Sequence, residues 1–193
     1  DKLEIKLPSD YYRLVWRLIA NATNQRTIIC TILFPNTFLG NSLNYVRPVY
    51  FDGKRYEMYL SYRELAYLCG MLNSFVMDFL MRHKVSINVN MFYMSEICVP
   101  RLKENDAFFS EIADRVDGLL CTTQQFDDLK NNLGIKNMKI DLVERENTIV
   151  EINAYAAKIC GLSRNEFEYI LNTFPIVENK IKQDVLTEFD KIK

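Results

Sequence analysis

At Ser61 the spacing of apolar residues changes from strand-like to helical, and this switch limits the possible folds more than any other feature of the chain. Before it, Leu3 to Leu7, Tyr12 to Ile19, Thr27 to Phe34, Tyr45 to Phe51 and Tyr56 to Leu60 are short runs rich in Val, Ile, Tyr and Phe. Turn residues at Pro8-Ser9-Asp10, Pro35-Asn36 and Asp52-Gly53 separate them, so they predict strands. Asp52-Gly53 predicts a hairpin, because both residues tolerate positive φ. After the switch, Ser61-Tyr62-Arg63-Glu64 has the form of a capping box. Leu65, Leu68, Cys69, Leu72, Phe75, Val76 and Phe79 then recur at helical spacing and predict one helix to about Met81, packed by its apolar stripe on the sheet.

The stretch from Ser86 to Pro100 reads as irregular. From Asn105 onward the pattern is helical: Asp106 to about Cys121, Gln124 to Leu133, Leu142 to Cys160, Ser163 to Phe174 and Val177 to Ile192. Gly161-Leu162-Ser163 is a stop and restart, with Gly as terminator and Ser163 to Glu166 as the next capping box. The expected fold class is α+β, a small mixed or antiparallel sheet with packed helices, followed by a helical C-terminal region. The division falls into 1–104, an α/β core, and 105–193, the helical region.

Several functions are disfavoured by absences from the sequence. There is no glycine-rich phosphate loop, no metal-ligand spacing of His or Cys, and a single histidine, His83, set in a basic cluster without a nearby nucleophile. The five cysteines are odd in number and widely spaced, and read as reduced core residues of a cytoplasmic protein. No apolar run approaches the roughly 18 residues of a membrane span, so no membrane partner is expected. With Asp1 first, no initiator Met and no charged segment leading into an apolar one, we expect a soluble piece of a longer protein without a signal peptide.

The formal net charge of −1 conceals an asymmetry. Residues 1–63 carry nine Lys or Arg against five Asp or Glu, and residues 101–193 carry thirteen against seventeen. A polyanion would therefore meet the N-terminal part. There the turn holding Asn21, Thr23, Asn24, Gln25 and Arg26 concentrates amide and guanidinium groups of the kind that read base edges. The same residues also make ordinary hairpin turns. Asn88 and Asn90 lie two apart and face one side of an extended segment, either toward a partner or as local caps. Arg82-His83-Lys84 is a cationic helix end. Tyr11-Tyr12 and Phe92-Tyr93 lie among apolar positions and read as core rather than as a base-stacking platform.

Four stretches together resemble a known family. They are Trp16 to Ile29 ending at Phe34-Pro35, Tyr67 to Arg82, Asn88-Val89-Asn90-Met91-Phe92 leading to Ile97-Cys98-Val99-Pro100, and Glu151 to Leu171. In this order they resemble the C-terminal target-recognition (TaqI-like specificity) domain of adenine-specific DNA methyltransferases and fused type II restriction-modification enzymes. The resemblance implies a non-catalytic domain that holds double-stranded DNA for its own N-terminal catalytic domain, on which the helical region packs if not on the core. That other domain would carry the S-adenosylmethionine site, and no cofactor is expected in this chain. A target adenine has to leave the base stack, so such a domain must grip the flanking duplex. The resemblance makes Asn24 and Arg26 base readers, with Thr27, Asn88 and Asn90 as further contacts and Arg47, Lys54, Arg55, Arg82 and Lys84 on phosphates. The alternative is a helical protein-interaction module that docks a partner subunit without touching DNA.

Overall fold

The computed structural model describes residues 7–20, 24–85 and 87–193. It is α+β, about 50% helical and 11% strand. A short 3₁₀ turn at Pro8–Asp10 leads into β1 (Arg13–Arg17), followed by β2 (Cys30–Leu33) and β3 (Leu43–Tyr45). These form an antiparallel sheet in the order β2-β1-β3, with Leu14 opposite Ile32 and Trp16 opposite both Cys30 and Asn44. β4 (Val49–Phe51) and β5 (Tyr56–Met58) form a separate antiparallel hairpin. The first expected strand, Leu3 to Leu7, lies outside the described residues except for Leu7.

Trp16 in the central strand is buried, and its indole N–H donates to the Val89 carbonyl at 2.6 Å. Around it Ala20 N donates to Ile87 O and Val89 N to Leu18 O, each at 2.7 Å, so the chain near Val89 lies along the end of β1. The stretch expected to be irregular is thus tied to the sheet, and it also holds a short helix, α3 (Met91–Ser95), with Asn90 as its N-cap.

The single helix expected to run to Met81 is two helices, α1 (Tyr62–Leu72) and α2 (Phe75–Arg82), bent by 65°. The break has a side-chain cause. Asn73 turns its amide onto the free edge of β2, accepting from Cys30 N at 3.1 Å and donating to Cys30 O at 2.9 Å. It thereby supplies the pairing a further strand would give. Ser74 then caps α2 by accepting from Met77 N, and the Phe75 N–H goes to Asn153 Oδ1 at 2.8 Å. These side chains take up the polar groups that the break frees, so the apolar periodicity can run across it unbroken.

The remaining helices are α4 (Ala107–Leu120), α5 (Asp127–Leu133), α6 (Leu142–Ile159), α7 (Arg164–Asn172) and α8 (Asn179–Lys191). One buried cluster joins residues of β1, β2, α1, α2, α4, α6, α7 and α8, so the helical region packs on the N-terminal core through a shared interior. Gly70 is where α1 meets α4. A Cβ there would collide with Ile112 Cγ2 and lie 3.0 Å from Val116 Cγ2. Gly70→Val is expected to cost at least about 2 kcal/mol by overpacking, more than any helix-propensity gain. Urea unfolding measures it, and a variant as stable as the parent would refute the close approach.

Cys30, Cys69 and Cys121 are buried as expected, and Cys160 is half-buried. Cys98 departs from the core reading and is exposed; all five are free thiols. Tyr12 packs against Tyr62 and Phe126, whereas Phe92, expected in the core, is exposed. No single helix among the described residues is long and apolar enough to cross a membrane.

Candidate nucleic-acid interface

The residues that the sequence suggests for DNA contact fall into three places. The first is an interior charge cluster. Asp78 on α2 is 0% exposed, and its Oδ1 accepts from Ile28 N at 2.6 Å. Its Oδ2 lies 3.8 Å from Arg26 Nε and 3.4 Å from Arg82 Nη2. Arg26 Nη2 donates to the Asn73 carbonyl, and its guanidinium carbon sits 4.0 Å from the centre of the Phe75 ring. Arg82 donates to Gln25 O at 3.0 Å and covers the Phe174 ring at 4.2 Å. Burial lowers the Arg26 pKa to about 10, with Asp78 opposing the shift, so the group stays charged at neutral pH.

This arrangement gives partners inside the protein to the two arginines expected to contact DNA. By sequence, Arg26 presents its fork to a base and Arg82 reaches a phosphate. In the structure both neutralise one buried carboxylate and stack on core aromatics, and the Arg26 side chain is only 18% exposed. Nothing in the sequence around Arg26 marks Asp78 as its partner, because the two lie fifty-two positions apart. The available signal is Asp78 itself, the one acid within the apolar stretch from Leu65 to Met81. Asn24 and Thr27 flank the cluster, half-exposed. Asn21 and Thr23 lie outside the described residues.

The second place is the end of β1. Asn88 and Asn90 are exposed on either side of buried Val89, in keeping with their two-residue spacing. Asn90 Oδ1 is used as a cap, accepting from Tyr93 N at 3.2 Å. Lys84 pairs with Glu96 at 2.8 Å.

The third place is the β4–β5 hairpin, which stands apart from the three-stranded sheet. At its tip Asp52 accepts from Lys54 N at 2.7 Å and Arg55 N at 2.8 Å, and Gly53 takes φ of 101°. Those two N–H groups also hold the Asp52 carboxyl below its ordinary pKa. The turn thus pins its acid to its own backbone while the side chains of Lys54 and Arg55 remain exposed, with Arg47 exposed just before β4. Arg55 makes a 2.6 Å ion pair with Glu57, which also accepts from Tyr50 Oη at 3.0 Å. Aromatic pairs stiffen the ribbon: Tyr50 with Tyr59 at 4.7 Å between ring centres and Phe51 with Tyr56 at 5.2 Å. Phe51, Met58 and Tyr59 are exposed large side chains that local pattern does not mark as surface residues. Their signal is the hairpin turn itself, since a two-stranded ribbon cannot bury both faces.

Among the described residues no group of three or more His, Cys, Asp or Glu is placed to hold a metal ion. Compared with protein-family models, with curated proteins and with solved structures, the chain matches none of them.

Proposed function

We propose that this chain is the DNA target-recognition domain of an adenine-specific DNA methyltransferase of a restriction-modification system, and that the β4–β5 hairpin is the part that enters a groove. The observation that carries the reading is the separate β4–β5 ribbon, with exposed Lys54 and Arg55 at its tip and exposed Arg47 at its base. A two-stranded ribbon fits the major groove of B-DNA, and cations at its tip and base can reach phosphates on either side. A two-stranded hairpin is only marginally stable alone, which suits an element that is completed by its ligand. Asn24, Asn88 and Asn90 remain as further polar contacts. Methyl transfer and S-adenosylmethionine belong to an N-terminal catalytic domain.

The binding test is a titration of the chain against duplex DNA across a salt series. Each phosphate neutralised contributes about 0.9 to the slope of log affinity against log salt, so Arg47, Lys54 and Arg55 together give a slope of about −3. Absence of binding at low salt would remove the proposal.

A second reading is supported by its own observation. Ile140, Leu142 and Val143, at the start of α6, are 72%, 75% and 63% exposed. Three large apolar side chains left in water so close together suit a docking surface for another domain or subunit. The two readings are compatible, because the ribbon and this patch occupy different elements.

A further inference from the structure

A cavity of about 630 Å³ opens between β2, the α1–α2 corner, α4, α6 and α8. Its lining is mostly apolar, and the accessible part of it includes Ile29, Leu119, Leu120, Ile149, Val150 and Ile181. The volume lies within the range of small-molecule sites.

The chemistry of a ligand follows from which polar groups are already engaged. Buried Asn153 accepts from Phe75 N and donates to Ile149 O, and Asn73 is occupied with Cys30. Arg26 lines the cavity but its charge is met by Asp78. Lys180 at the rim pairs with Asp184 at 2.7 Å. Glu146 and Glu178 also line the opening and are exposed; neither is within ion-pair distance of a cation among the described residues, but both stand near Lys180 and, after Asp184, help raise its pKa, so three carboxylates face one ammonium. The uncompensated charge around the cavity is therefore negative.

We infer that this cavity binds a small, mainly apolar molecule carrying a cationic group, with its body among the Ile, Val and Leu side chains and its cation at Glu146 and Glu178. Such binding is independent of any DNA contact. An anion of the same shape would face two unpaired carboxylates, and a neutral molecule would gain only burial.

Calorimetric titration of the chain with 4-phenylbutylamine, 4-phenylbutanol and 4-phenylbutyrate separates these terms, because the three share one apolar body. The amine is expected to bind about fivefold more tightly than the alcohol at low salt, and the acid more weakly than either. Glu146→Gln with Glu178→Gln should collapse the order and leave the alcohol unchanged. Ile149→Trp, at a half-exposed wall position that tolerates a larger side chain, should weaken all three. Equal binding of amine and acid, binding of none, an order that survives the double Gln variant, or affinities untouched by Ile149→Trp would each overturn the inference.

Discussion

Replacing Asp78 with Ala is expected to destabilise the chain by about 3–5 kcal/mol, the cost of removing one partner from a buried ion pair. The carboxylate is wholly enclosed and serves three groups at once: the Ile28 N–H, Arg26 and Arg82. Removing it leaves two guanidinium groups without their shared counter-charge and one backbone donor of the β2 approach without a partner. Arg82 can relax toward water more readily than Arg26, whose guanidinium lies against both Phe75 and Phe174. Asp78→Asn keeps an acceptor for Ile28 and should lose less. Urea unfolding at 25 °C measures both variants. A loss below about 1 kcal/mol for Asp78→Ala would mean that the cluster does not hold the segment 25–28 to α2.

Trp16→Ala is expected to cost about 3–5 kcal/mol for the lost ring and the cavity it leaves. The site cannot collapse easily, because Trp16 sits in the middle strand with Cys30 opposite on one side and Asn44 on the other. A second effect is local. The indole N–H is a close donor to Val89 O, which also accepts from Asn44 Nδ2 at 3.5 Å. Trp16→Phe keeps most of the burial but removes the indole bond, so a loss of about 1–2 kcal/mol is expected. Amide exchange at Val89 and Ala20 should then quicken relative to β1 and β2. Equal protection in parent and variant would show that the indole bond does not dock the chain near Val89.

Periodicity and turn chemistry make the elements of this fold readable, while long-range pairing decides what they do. The α+β class, the capping boxes at Ser61 and Ser163, and the positions of α4, α6, α7 and α8 follow from local pattern, and each appears where the pattern puts it. The break at Asn73-Ser74 does not, because apolar spacing continues through it and its cause is a hydrogen bond to a strand forty-three residues earlier. The same holds for Arg26. Its charge and planar fork suit a base edge as well as a buried carboxylate, and its pairing with Asp78 is set by the fold rather than by anything in the local sequence. The hairpin is legible in Asp52-Gly53, and so are its exposed cations Lys54 and Arg55. Its exposed Phe51, Met58 and Tyr59 are not, because large apolar and aromatic residues in or beside a strand ordinarily signal burial.

If DNA meets the ribbon and not the turn near Arg26, the two places must respond differently to substitution. Salt dependence of duplex binding separates them when measured in the parent, in Lys54→Ala with Arg55→Ala, and in Arg26→Ala, under conditions where all three are folded. The double variant should lower affinity on every sequence and reduce the salt slope by about 2, one unit for each phosphate no longer neutralised. Arg26→Ala should lower thermal stability and leave the slope unchanged. A double variant that binds like the parent, or an Arg26 variant that stays stable while losing sequence discrimination, would place the DNA elsewhere than on the ribbon.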